Sequence, residues 1–409
     1  MSDFRQAGPI TTLHLLSERN VVAVEEEIYK ASELRPISLV LPCLVSEMDG
    51  PALSVITSVL QSVEYLREIV VTLGPASEAE FLKACEYFKP LKTVRRKVRI
   101  IWSDGPRIQS LLKEIEDLGL IVGPHGKGRS AWLAYGYIVA EAKSYIIALH
   151  DCDIVSYTRN MLNRLVYPTV IPNLDYEFCK GYYCRVTDRM HGRVMRLLVT
   201  PLLRAFTRIL GELPILEYFN SFRYLLSGEF SMVADLARVN RIPPDWGLEV
   251  GVLFEVYRNC SLSRICQSEL CLNYDHKHQH LSSDDPEKGL NKMAVDVCST
   301  FFRALASTGL VFTEAFFRTL RVTYLKEAQD LMAMYHADAL INGLDYDRHE
   351  EATAFETFAQ AITIAGNNSK QDPLGIPLIP NWNRVFSAIP GCSDKLVNLV
   401  DEDNKRYFW

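Results

Sequence analysis

The chain has no CxxC pair, no internal repeat, no low-complexity tract and no apolar run of 18 residues free of charge. Each absence closes a class. Ten cysteines are scattered between Cys43 and Cys392, several inside apolar runs where a small hydrophobe fits. Free thiols in a reducing cytoplasm are therefore expected over a disulfide framework or a zinc site. The nearest approach to a membrane span, Leu197 to Phe219, is broken by Arg204, Arg208 and Glu212, which predicts an amphipathic helix or a pair of helices. The first twenty residues lack a basic stretch followed by an apolar core, so no secretory leader is expected. Net charge is small: a formal −6 over 409 residues argues against nucleic acid or an anionic membrane surface as main partner. The remaining composition, 48% hydrophobic and 23% charged, is that of an ordinary globular protein.

What is present is an alternation. Residues 1–34 read as an N-terminal arm with a helix near Val22 to Glu33. Apolar, β-branched runs follow at Pro36 to Leu44, Leu66 to Gly74, Lys97 to Pro106 and Tyr145 to Leu149. Helical stretches separate them, among them "SEAEFLKACEYF", where Ser77 and Glu80 have capping-box spacing, and "GKGRSAWLAYGYIVAEA". Strand and helix in turn predict an α/β domain with a mostly parallel, doubly wound sheet over about 35–285, whose ligands bind beyond the carboxyl ends of the strands. The helical period continues from about 286 to 370, and a Pro-rich tail follows to 409.

The fourth strand ends in "ALHDCDI", which places Asp151 and Asp153 at such a carboxyl end. Asp-x-Asp is a short pattern, and a solvated turn explains an isolated copy. Its chemical reading is a Mg²⁺ or Mn²⁺ ion held by carboxylate oxygens and completed by substrate phosphates. Three other stretches favour that reading. "GPHGKGRSAW" surrounds Lys127 with Gly123, Gly126 and Gly128 before a helix; it fails the Walker A pattern but lets backbone N–H groups and a lysine approach a phosphate or sugar. "LSGEF" sets Gly228 and Glu229 among apolar residues, a tight approach with a nearly buried carboxylate that needs partners. "WGLEVGVL" puts Glu249 near a helix start. His276, His278 and His280 alternate in "DHKHQHL" and could give an imidazole to the same cation or form a zinc site.

In this order the segments "VLPCL..E", "GKGRSAW", "ALHDCDI", "FCKGYY.R", "GRV....TPLL", "LSGEF", "WGLEVGVL" and "DHKHQHL", spanning residues 36–281, resemble the glucosyl-3-phosphoglycerate synthases, retaining glycosyltransferases of the GT-A fold (glycosyltransferase family 81). The resemblance implies a GT-A catalytic domain with nucleotide-sugar and acceptor halves meeting near residue 155. It implies Pro42, Leu44 and Glu47 in the uridine pocket, Gly105 near the base, and Lys127 on the donor diphosphate or sugar. Asp151 and Cys152 would meet the donor, Asp153 and His276 would ligate the metal, and Gly228, Glu229 and Glu249 would position glucose. Gly192 and Arg193 would bind phosphoglycerate, with Met195 and His278 at the acceptor. Cys152, Met195 and His278 depart from the usual family residues. Residues 286–409 resemble the extension of the longer members, packed on the catalytic domain and available for a homodimer interface.

The implied reaction moves glucose from UDP-glucose or GDP-glucose to the 2-hydroxyl of 3-phosphoglycerate. No carboxylate is singled out as a nucleophile, so front-face attack is expected, with the leaving phosphate as base. Rival readings are a mannosyl-3-phosphoglycerate synthase or a transferase using glycerate or another acceptor, a nucleotidyltransferase, and a non-catalytic sugar-nucleotide sensor. "PCLVSEMDG" lacks the Gly-rich loop that a nucleotidyltransferase carries after its first strand.

Overall fold

A computed structural model describes residue 6, residues 8–275 and residues 289–408. His276, His278 and His280 lie outside the described residues. The chain runs β1 (Thr11–Leu13), α1 (Val21–Ser32), β2 (Ile37–Cys43), α2 (Pro51–Gln61), β3 (Leu66–Leu73), α3 (Glu78–Phe88), β4 (Lys97–Trp102), α4 (Pro106–Asp117), α5 (Lys127–Glu141), β5 (Ile146–Leu149) and α6 (Arg159–Val170). It continues through β6 (Phe178–Tyr183), α7 (Thr200–Leu210), α8 (Pro214–Ser221), β7 (Phe230–Val233), α9 (Ala234–Val239), α10 (Leu248–Asn259) and β8 (Ile265–Cys271). The last five elements are α11 (Gly289–Ala306), α12 (Glu314–Asn342), α13 (Arg348–Gln371), α14 (Trp382–Ala388) and α15 (Cys392–Phe408).

One eight-stranded sheet, in the order β1-β8-β6-β7-β5-β2-β3-β4, forms the centre. Every pairing is parallel except those of β7, which runs against β5 and β6. The apolar strand runs are buried because helices cover both faces, leaving one hydrophobic cluster on each side of the sheet. From β2 the chain moves outward through β3 and β4, then returns to lay β5 on the opposite side of β2. The gap between the carboxyl ends of β2 and β5 is thus a topological switch point, where doubly wound sheets open a crevice.

The capping box forms as expected: Ser77 Oγ accepts from the Glu80 N–H, and Glu80 Oε2 accepts from the Ser77 N–H. Leu197 to Phe219 becomes the end of a π-helical turn, Val194–Val199, followed by α7 and α8. Two segments carry more secondary structure than their sequence suggested. The N-terminal arm contributes a strand, β1, paired in parallel with β8. The Pro-rich tail folds into α14 and α15, which dock on the catalytic sheet. On edge strand β4, Asn404 accepts from the Ile100 N–H and donates to the Ile100 carbonyl, both at 2.8 Å. A side-chain amide so stands in for a missing strand partner and covers the edge. Trp382 stacks on Trp132 of α5 with ring centroids 4.1 Å apart; Gly136 leaves room for it, since a Cβ there would lie 2.0 Å from the indole. No described helix is long and apolar enough to cross a membrane.

Candidate active site

Loops at the switch point bring the expected site residues together. β2 leads into a 3₁₀ turn, Val45–Asp49, that holds Glu47. β5 leads into Asp151, Cys152 and Asp153. Because β7 is antiparallel, its beginning lies at the same edge, which brings Gly228 and Glu229 beside the aspartates. The approach is close: a Cβ on Gly228 would stand 2.4 Å from Asp151 Oδ2, so only glycine fits. The glycine-rich stretch at the start of α5 packs its backbone on Pro243 and Pro244: a Cβ would stand 2.5 Å from the Pro244 carbonyl at Gly126 and 1.9 Å from the Pro243 carbonyl at Gly128. That packing sets Lys127 on the first turn of α5, while Glu249 sits in the first turn of α10.

Lys127 bridges the two sides. Its Nζ lies 2.7 Å from Asp151 Oδ1 and 2.9 Å from Glu249 Oε1. Burial alone would lower its pKa, but Asp151 and Glu249 outweigh that and hold it well above the ordinary lysine value. Glu249 is buried, and its second oxygen, Oε2, has no hydrogen-bond partner. A buried carboxylate oxygen left bare is costly unless something else donates to it.

Asp153 is pushed up to about 7, first by burial and then by Asp151, Glu47 and Glu229, with Lys127 opposing. Such a convergence of carboxylates fits a cation whose remaining ligands come from substrate oxygens and water. No three His, Cys, Asp or Glu side chains among the described residues close on one point as an all-protein cage would. Asp275, the last described residue before His276, docks next to this site. Its carbonyl accepts from the Val155 N–H at 2.8 Å, and its N–H donates to Ser156 Oγ at 3.0 Å.

Glu229 has the partners its burial demands. Tyr183 donates to Oε2 at 2.6 Å and Tyr274 to Oε1 at 2.7 Å, their rings stacked 3.7 Å apart. Burial, then Asp151, still raises the Glu229 pKa. Lys180, fully buried on β6, donates to the Ser227 carbonyl at 2.5 Å and so ties down the turn that carries Gly228 and Glu229. Burial pulls its pKa down to about 8, against the pull of Glu249 and Glu229. Sequence reasoning gave Lys180, Tyr183 and Tyr274 no role. The one available signal was a lysine inside the apolar strand "FCKGYY", a position too buried for an unpartnered charge.

The other expected residues distribute as follows. Pro42 lies near the end of β2 and Leu44 is exposed just beyond it. Gly105 precedes α4, with its backbone against the Trp102 ring. The Cys152 thiol is buried and hydrogen-bonded with Cys43, which together with burial raises its pKa well above normal. All ten cysteines are unpaired thiols. Gly192 has φ +75 and packs on the Tyr224 hydroxyl, and Tyr224 lies against Tyr183, which links the Gly192 segment to Glu229. Arg193 forms an ion pair with Glu350 at the start of α13, and Arg196 pairs with the neighbouring Glu351. Met195 packs against the larger core.

A glucosyl-3-phosphoglycerate synthase of Persephonella marina is 50% identical over 99% of both chains. The chain belongs to the glucosyl-3-phosphoglycerate synthase family. A second member, from Methanococcoides burtonii, is 41% identical over 97% of both chains. No family model matches. Among solved structures, glucosyl-3-phosphoglycerate synthase of Mycobacterium tuberculosis in complex with Mn²⁺, UDP and phosphoglyceric acid superposes with a TM-score of 0.52 at 22% identity. The match covers 75% of this chain and 89% of the other. The same enzyme with Mn²⁺, UDP and glucosyl-3-phosphoglycerate gives the same score. These matches show that the mostly parallel sheet with flanking helices is the fold of the family.

Proposed function

We propose that the protein transfers glucose, with retention, from a nucleoside-diphosphate glucose to the 2-hydroxyl of 3-phosphoglycerate. The observation that carries this reading is Lys127 held between Asp151 and Glu249 at the switch point of a chain 50% identical, end to end, to a synthase of that name. UDP-glucose and phosphoglycerate are the substrates seen with the Mycobacterium tuberculosis enzyme, which was also crystallised with Mg²⁺ and UDP. Asp153, with His276 as the resemblance implies, would hold Mg²⁺ or Mn²⁺, which would neutralise the charge developing on the leaving diphosphate.

The chain's own groups then divide the work. Lys127 Nζ donates to a diphosphate or sugar oxygen, and its two carboxylate neighbours keep it protonated. Asp151 accepts from the donor's ribose or sugar, and the bare Oε2 of Glu249 accepts from a glucose hydroxyl. Gly228 lets the sugar approach the backbone, with Lys180 fixing the turn beneath. Arg193 changes partner from Glu350 to the acceptor's phosphate or carboxylate, for which a guanidinium fork is suited. Glu229 is held by two tyrosines, and Asp151 and Glu249 are both engaged by Lys127. That disfavours a carboxylate nucleophile. Attack therefore comes from the leaving-group face: the acceptor oxygen bonds to C1, the C1–O bond to the diphosphate breaks, and the acceptor proton passes to the departing phosphate oxygen. The unpaired thiols are consistent with a reducing, cytoplasmic location.

The test is incubation with UDP-glucose, GDP-glucose or GDP-mannose, 3-phosphoglycerate or glycerate, and Mg²⁺, with products identified by mass and NMR. An α-glucosyl product on phosphoglycerate, lost in EDTA, is expected. Mannosyl transfer, a glycerate product, pyrophosphate release or full activity in EDTA would overturn the corresponding part.

A further inference from the structure

A cavity of about 420 Å³ lies between α10, α11 and the segment 374–384, and shares no lining residue with the crevice described above. Four arginines line it: Arg241 and Arg258 from the surroundings of α10, Arg303 from α11 and Arg384 from α14. Arg241 and Arg258 share a single carboxylate, Glu255, at 3.5 and 3.0 Å. Arg303 has two buried nitrogens, Nε and Nη1, with no hydrogen-bond partner. Asp245 and Asp372 stand near enough to attract it, yet neither bonds those atoms. Arg384 is exposed and makes no ion pair among the described residues. Apolar surface from Phe254 and Leu378 completes the walls. Buried N–H groups left bare cost free energy unless an anion enters, and the cationic lining favours one. The volume lies within the range of small-molecule pockets.

We propose that this cavity binds a small phosphate-bearing organic molecule, with the phosphate between Arg303 and Arg384 and the body against Phe254 and Leu378. Guanidinium forks favour phosphate oxygens. A ligand here would clamp the C-terminal segment to α10 and α11. The inference stands on these residues alone and does not depend on the transferase reading.

Phenyl phosphate is a suitable probe, titrated calorimetrically into the full-length protein without divalent cations. One saturable site is expected, weakened at least tenfold in both Arg303→Met and Arg384→Glu. Binding of UDP-glucose with Mg²⁺ should be unchanged in both variants, and saturating UDP-glucose should not displace the probe. No saturation by about 10 mM, equal affinity in the variants, or displacement by UDP-glucose would each overturn the proposal. Arg384 is exposed, so Arg384→Glu keeps the test decisive should Arg303→Met fail to fold.

Discussion

Replacing Lys180 with methionine separates stability from activity. The side chain is fully buried and its pKa falls from 10.5 to about 8. At neutral pH the charged form is therefore held at a cost of about 3 kcal/mol, at roughly 1.4 kcal/mol per unit. Methionine has similar length and removes that cost, but leaves the Ser227 carbonyl bare, a loss of about 1–3 kcal/mol. The variant should be as stable as the wild type at pH 7, or more stable by up to about 2 kcal/mol. The sign with pH follows from the depressed value. Between about 8 and 10.5 the folded protein binds fewer protons at this site than the unfolded chain, so wild-type stability gains as pH rises. Any advantage of the variant should shrink by about 2–3 kcal/mol between pH 7 and pH 10. Activity moves the other way: freeing the Ser227 turn loosens Gly228 and Glu229, and kcat should fall at least about tenfold. Urea unfolding at both pH values and initial rates at pH 7 test this. A stability difference that does not change with pH, or a variant weaker by more than about 3 kcal/mol at pH 7, would refute the reasoning.

Glu68, buried on β3, is pushed up to about 7 by burial and by Glu141; its stabilising contribution is complete below about pH 4.5 and is lost as pH rises through 7. Relative to Glu68→Gln, the wild type should therefore lose melting temperature between pH 5 and pH 8, and parallel curves would contradict that. Trp382→Ala removes the stack on Trp132 and opens a cavity beside Gly136, so a loss of about 3–5 kcal/mol in chemical unfolding is expected. Arg193→Ala should raise KM for phosphoglycerate while sparing KM for the donor, and Glu350→Gln, which releases Arg193, should lower the acceptor KM; steady-state kinetics with each substrate varied would expose the opposite pattern.

The first half of the fold was legible because each strand is a short apolar run closed by turn residues, and because β5 ends in two aspartates that a buried strand has no reason to carry. Gly228 and Glu229 were readable for a similar reason: an acidic group inside apolar sequence must find partners, and Tyr183 and Tyr274 supply them. The identity of those partners was not readable, since Tyr274 lies 45 residues from Glu229 and only β8 brings it back. Long-range pairing hid other features. Thr11 meets Cys266 across the sheet, and no local pattern marks a three-residue strand. The reversed direction of β7 depends on its neighbours, not on its own four residues. In the tail, Asp401 and Asn404 have meaning only against Arg99 and Ile100. Arg193 was expected to face the acceptor, and its pairing with Glu350 could not be foreseen from a helix more than 150 residues away.

The most direct test of the account is a crystal structure with UDP-glucose and Mn²⁺. The account predicts the cation on Asp153, Lys127 Nζ within hydrogen-bond distance of the diphosphate or glucose, and Glu249 Oε2 accepting from a sugar hydroxyl. Donor bound away from the β2–β5 edge, or a cation that ignores Asp153, would contradict it.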